Sequence, residues 1–198
     1  MPISDRQKLI TQLVSKVLGQ GPVLNQSFGW MANKHSTLAF KEHASWIESI
    51  FMELKGNIVQ NEAKRTQLLK CDAYFGGEYK FIFEFDEFQH FSSRRLLTLL
   101  RYPDKVPLNF MIGDWMEFCR IHHGKADAYR KNKMTLDFNF NGGRTAQRAY
   151  LDCFRDLLPP LYDLNPTLRI CEFEVSDISK TDAASCKKIE FLLKKKMH

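Results

Sequence analysis

Leu9, Ile10, Leu13, Val14, Val17 and Leu18 recur at intervals of three and four, which predicts an amphipathic helix opened by Ser4 or Asp5 and ended near Gly19 and Gly21-Pro22. Residues 20–35 read as a connector. Phe40, Ile47, Phe51 and Leu54 then mark the inner face of a second helix from Ser36 to Lys55, with Gly56 as its stop. From Leu68 the period falls to two. Leu68–Phe75 and Glu78–Phe88 read as strands of a hairpin turning at Gly76-Gly77. Alternation sends Tyr79, Phe81, Phe83 and Phe85 to one face and Lys80, Ile82, Glu84 and Asp86 to the other. One face is therefore expected to be core and the other to carry carboxylates. A short helix from Ser92 or Ser93 to Leu100, a Pro-containing loop and a helical stretch over Gly113–Tyr129 follow. Residues 134–141 alternate like an edge strand. Arg144–Leu158 reads as a helix closed by Pro159-Pro160, and Thr167–Val175 as a final strand. This order predicts an α/β or α+β domain with a small mixed sheet flanked by helices.

Composition narrows the class only a little. The 198 residues, 44% of them hydrophobic, suffice for one domain with a real core. No apolar run approaches the roughly 18 to 20 residues of a membrane span, and the amino end lacks a signal-type apolar stretch, so a soluble cytoplasmic protein is expected. Five cysteines without a CxxC pair are expected to be reduced thiols. The net charge is +6, but residues 187–198 hold five Lys and one Glu and so supply +4 of it. The body is close to neutral, and bulk charge says little about a polyanionic partner. The basic end suits either a solvated helix or a phosphate backbone. No Walker-type loop, dinucleotide fingerprint or G-x-S-x-G is present, which leaves nucleotide-driven and serine-hydrolase chemistry unsupported.

The hairpin carries the candidate chemistry. Asp72 falls on its first strand, and Glu84, Asp86, Gln89 and His90 lie at or just past the end of the second. Acids are disfavoured in strands and ask for a reason there. Adjacent strands lie about 4.8 Å apart, so Asp72 and Glu84 can share one small volume. Two carboxylates that close repel unless a proton or cation stands between them, and an oxygen-rich site of this kind suits Mg²⁺ or Mn²⁺. The competing reading is a solvated outer face on an exposed hairpin.

The run Cys71-Asp72-Ala73-Tyr74-Phe75-Gly76-Gly77 and the run Phe83-Glu84-Phe85-Asp86-Glu87-Phe88-Gln89-His90-Phe91 together resemble the core hairpin of the PD-(D/E)XK nuclease superfamily. They are nearest the branch of very-short-patch repair endonucleases and related homing endonucleases. The resemblance covers about residues 36–175, and its specific motif is confined to the residues just quoted. It implies a restriction-endonuclease-like fold and a Mg²⁺-dependent DNA endonuclease of restriction, repair, homing or defence type. Asp72 and Glu84 would hold the metal with help from Asp86 or Glu48, the latter supplied by the second helix. His90 would carry the proton traffic and Gln89 would place the water. The superfamily's usual Lys, two positions after the second-strand acid, is replaced here by Asp86. Lys80, on the face of Glu84, is the candidate substitute. The departure also admits an inactive relative that binds nucleic acid or protein without cutting. Residues 1–35 would be an amino-terminal helix and connector, 36–178 the nuclease-like core with an insert at about 101–142, and 179–198 a basic end. Double-stranded DNA is the expected partner, with Arg94, Arg95, Arg144, Gln147 and Arg148 as phosphate or groove contacts, the last three near a helix start that itself favours anions. A homodimer would suit cleavage of both strands.

Overall fold

In the computed structural model, which describes residues 3–197 and side chains from Asp5 to Met197, the aromatic run at 81–86 is buried along its whole length. The elements in chain order are α1 (Ile3–Leu18), β1 (Val23–Leu24), β2 (Ser27–Ala32), α2 (Lys41–Glu53), α3 (Ile58–Ala63), β3 (Leu68–Lys70), β4 (Ala73–Phe75) and β5 (Phe81–Asp86). They continue as α4 (Ser93–Leu99), α5 (Ile112–Ala128), α6 (Gly143–Leu157), β6 (Asn165–Cys171) and α7 (Ala183–Lys196). The main sheet is mixed, in the order β1-β4-β5-β6. β4 pairs antiparallel with β1 and β5, and β6 joins β5 in parallel. The fold is mixed α/β with helices on both sides of this sheet. β2 and β3 form a separate antiparallel pair.

Each sheet face closes its own core. Phe81, Phe83 and Phe85, with Phe75, Leu168 and Ile170, meet Ile10, Leu13 and Val14 of α1 and Ile189, Leu192 and Leu193 of α7. Burial of each such Phe contributes roughly 1.5–3 kcal/mol. On the opposite face Ile82 lies in a core with Ile47, Ile50 and Phe51 of α2 and with Tyr150, Cys153 and Phe154 of α6. The carboxylate face is therefore roofed by helices and is not the solvated outer side of a hairpin; Glu84 and Asp86 are both buried.

Several elements differ from the pattern in the sequence, each for a local reason. The first hairpin strand breaks at Cys71-Asp72, where the chain steps between sheets. Cys71 donates its N–H to the Gln26 carbonyl, and the Asp72 carbonyl accepts from Asn25 N. The second strand starts only at Phe81, because Tyr79 and Lys80 close a turn onto the Gly76 carbonyl and Lys80 is left-handed at φ 44°. α2 begins at Lys41 after a 3-10 turn at His35–Thr37. α1 already runs from Ile3, so Asp5 sits in its first turn; the Ser4 cap falls on a side chain outside the described residues. β6 stops at Cys171, whose N–H is taken by the Glu174 carboxylate. Residues 134–141 form no strand. Thr135 and Phe138 exchange backbone hydrogen bonds in a closed turn, and a Cβ at Gly143 would fall 1.8 Å from the Phe138 carbonyl oxygen. The basic end is the helix α7, packed beside α1, with Lys196 buried on Glu174 at 2.6 Å. Among the described residues no helix is long and apolar enough to cross a membrane. The five cysteines are free thiols, four of them buried.

Candidate active site

The step between sheets leaves Asp72 at the mouth of β4, and the antiparallel register brings it beside Glu84. Ala73 faces Phe83 across the ladder. The Asp72 carboxylate accepts the N–H of Phe85 at 2.9 Å, and Glu84 Oε1 accepts the N–H of Asp72 at 3.3 Å. The two acids thus bind each other's strand at one level. They floor a cleft of about 230 Å³ that is also lined by Gln7, Lys70, Glu87, His90, Arg144, Arg148, Leu151, Asp152 and Arg155. The floor is acidic and Lys70, Arg144 and Arg148 supply a basic rim.

Burial pushes the Glu84 carboxyl well above its ordinary value, against the opposing pull of Arg155, whose Nε stands 3.1 Å from Glu84 Oε1. Burial raises Asp72 too, against the Phe85 N–H and the neighbouring His90 and Arg155. Both acids are thus held where their charged forms are under-compensated. The native state keeps their protons more tightly than the unfolded chain does. Stability therefore falls as pH rises from the ordinary aspartate value of 3.8 through the raised one. Asp72→Asn retains an acceptor for Phe85 N–H and removes the charge. We expect it to be more stable than the wild type at pH 7 without divalent cations, by about 0.5–2 kcal/mol, the usual gain from relieving such a site. Calorimetric melting curves at pH 7 and below pH 4 check this, and a less stable variant at pH 7 contradicts it.

His90 follows β5 in a short 3-10 turn, Phe88–His90. Its Nδ1 lies 3.2 Å from Asp152 Oδ2 and 3.5 Å from Asp86 Oδ1. Carboxylates only accept, so Nδ1 carries the proton and Nε2 of the neutral ring keeps the lone pair. Asp152 is itself held from behind. Burial opposes its ionisation, but Arg169, His90 and Arg95 together keep it well below the ordinary range. Arg169, fully buried, places Nη1 2.6 Å from Asp86, Nε 2.6 Å from Asp156 and Nη2 3.4 Å from Asp152. Arg95 closes the chain on Asp156 at 2.6 Å.

Of the residues singled out in the sequence, Asp72, Glu84, His90, Arg144 and Arg148 share the cleft. Asp86 does not. It is on the face of Glu84, but one oxygen is taken by Arg169 and the other accepts Trp115 Nε1–H at 2.7 Å, so it is a structural anion. Glu48 is exposed on α2 and is not part of the cleft lining; the helices that line the cleft are α6, through Arg144, Arg148, Leu151, Asp152 and Arg155, and α1, through Gln7. Lys80 is exposed in the turn at the opposite end of β5, so the cation beside Glu84 is Arg155 of α6. Arg95 is buried on Asp156 and Tyr102 and is unavailable to a phosphate. Gln89 is outside the cleft lining; it accepts from Arg148 through its carbonyl and side chain and donates to Glu87, so it braces two residues that do line it. Gln147 bonds Arg144 and Asp137. Arg94 is half-buried with its guanidinium over the Phe140 ring. Gln7, Lys70, Phe85, Glu87, Leu151, Asp152 and Arg155 complete the cleft and were not singled out as site residues from the sequence.

The donor set fits a hard divalent cation in part. Asp72 and Glu84 offer two carboxylates, the number Mg²⁺ commonly takes from protein when water and a phosphate complete its shell. Among the described residues no group of three or more His, Cys, Asp and Glu side chains is arranged to hold a metal by itself. No protein-family model, curated protein or solved structure matches the chain.

Proposed function

We propose that this chain is a metal-dependent endonuclease of PD-(D/E)XK type, with a restriction-endonuclease-like arrangement of its sheet and helices, acting on phosphodiesters of double-stranded DNA. The observation that carries the reading is the convergence of Asp72 and Glu84 at the floor of a basic-rimmed cleft, with His90 seated on Asp152 beside them. A phosphodiester needs cationic and N–H groups around its oxygens and a base near the attacking water. Arg144 and Arg148 provide the first, the latter braced by Gln89. His90 provides the second, since the Asp152 contact at Nδ1 leaves Nε2 to accept a proton and stabilises the imidazolium that results.

Asp72 and Glu84 would hold Mg²⁺ or Mn²⁺. When bound, such an ion supplies activation of water and charge for the leaving oxygen. Arg155 takes the position of the missing lysine in charge if not in acidity. It pairs with Glu84 and lies 3.7 Å from Asp152, and a guanidinium does not titrate in the working range, so it stabilises negative charge and cannot serve as the base. That division leaves proton transfer to His90.

Incubation of supercoiled plasmid with the purified protein and Mg²⁺ or Mn²⁺ tests the reading. Nicked and linear products are expected from the wild type, and none above background from Asp72→Asn or Glu84→Gln. Failure of the wild type to cut, or undiminished cutting by both variants, refutes the assignment.

A further inference from the structure

The segment between α5 and α6 buries Phe138 in the core and holds two apolar side chains outward. Leu136 is 67% exposed and Met134 50%, while the neighbouring Asp137 is fully buried. This is a clamped tip. The Asp137 carboxylate accepts from Thr135 Oγ1 at 2.9 Å, Gln147 Nε2 at 3.1 Å, Asn61 Nδ2 at 3.0 Å and Lys64 Nζ at 2.5 Å, and its carbonyl accepts from Asn57 N at 2.8 Å. Thr135 and Phe138 close the turn, and the Gly143 backbone lies against Phe138 where no side chain fits.

The flanks of the tip are cationic. Arg130, Lys131 and Lys133 are exposed, and Asp137 is the only acid between residues 128 and 144. The carbonyls of Lys131 and Lys133 accept the N–H groups of Gly142 and Arg144 at 2.6 and 3.0 Å. The basic segment is thus tied to the start of α6, whose Arg144 lines the cleft of Asp72 and Glu84. Beside the tip a depression of about 600 Å³ is lined by Asn57, Gln60, Asn139 and the tip itself. Cations suit phosphates, amides suit base edges, and a rigid apolar point suits sugar or base surface in a groove.

We propose that the 130–136 tip is a second contact for the same duplex DNA, in which Lys131 and Lys133 hold phosphates and Leu136 with Met134 press into a groove beside the scissile position. This rests on the nuclease reading above and adds the element that grips the duplex. The test uses Asp72→Asn, which should bind without cutting, and fluorescence anisotropy of a labelled mixed-sequence duplex across a salt series. Adding Lys131→Ala with Lys133→Ala should flatten the slope of log affinity against log salt by about 2, one phosphate contact each. Adding Met134→Ala with Leu136→Ala should weaken binding about tenfold and leave that slope unchanged. Parental affinity and slope in both variants overturn the proposal. A change in only one of them overturns the two-part contact. Plasmid cutting by the wild type is scored alongside, so that loss of the tip assignment and loss of the nuclease reading are separate results.

Discussion

Arg169→Met should destabilise the protein by about 3–5 kcal/mol, the cost of leaving buried charge uncompensated. Arg169 is the hub of a dry layer between β5, β6 and α6, where it touches Asp86, Asp152 and Asp156. Without it, Asp156 keeps Arg95 and Asp152 keeps His90 and the more distant Arg155, while Asp86 keeps an N–H from Trp115 and the neighbouring His90. Three buried carboxylates would then share too little positive charge, and some would take up protons to fold. The pH dependence has a definite sign. Burial works against Asp152 and Asp156, but Arg169 with its neighbours depresses both. The stability they contribute is complete above the ordinary value of 3.8 and is lost as pH falls through the lower folded values. Removing Arg169 removes the main depressing cause and should move acid unfolding to higher pH. Arg169→Lys keeps a charge but loses the fork of donors, and should fall between the two. Urea titrations at pH 7 and pH 5 measure this. A Met variant within about 1 kcal/mol of the wild type, inside the range of unremarkable substitutions, contradicts the account of the network.

On the proposed nuclease reading, His90→Gln should lower the metal-dependent cleavage rate about 10²- to 10⁴-fold while leaving the fold intact, because the proposed general base would be lost and a partly exposed side chain exchanged for one of similar bulk. Asp152→Asn should act through His90. An amide can offer its oxygen to Nδ1 but no longer balances an imidazolium, so the rate should fall less and the pH-rate profile should change shape. A purely structural role for Asp152 would lower the amount of folded enzyme without altering that profile. Single-turnover rates across pH separate the two, and a His90→Gln enzyme within a few-fold of the wild type removes His90 from the chemistry.

The hairpin acids were legible because period-two alternation and strand spacing are local properties, and they place Asp72 near Glu84 without knowledge of the rest. Whether a face is solvated is not local. Alternation gave Asp86 and Glu84 the same side of β5, but which carboxylate meets water depends on how far α6 and α5 extend over the sheet, and Arg169 and Trp115 cover Asp86. Glu48 illustrates the same limit for helices. Its own helix was readable, with a start five residues early, yet the helices that line the cleft are α6 and α1, and that is decided by packing across the sheet. A sequence signal for the missed residues does exist. Ala149, Asp152, Cys153 and Asp156 form one stripe at helical spacing, and Arg169 sits between Leu168 and Ile170 in an apolar strand. Charges on predicted core positions point to each other. The 134–141 alternation misled because the anchoring of Asp137 by Asn61, Lys64 and Gln147 is long-range and overrides strand propensity.

Asp72 and Glu84 are proposed to act together on one divalent ion, and isothermal titration of Mn²⁺ into the protein at neutral pH addresses that directly. Saturable uptake by the wild type, with the heat strongly reduced in Asp72→Asn and in Glu84→Gln but retained in the more remote Glu48→Gln, is the expected result. No saturable uptake, or uptake equal in all four proteins, would contradict it.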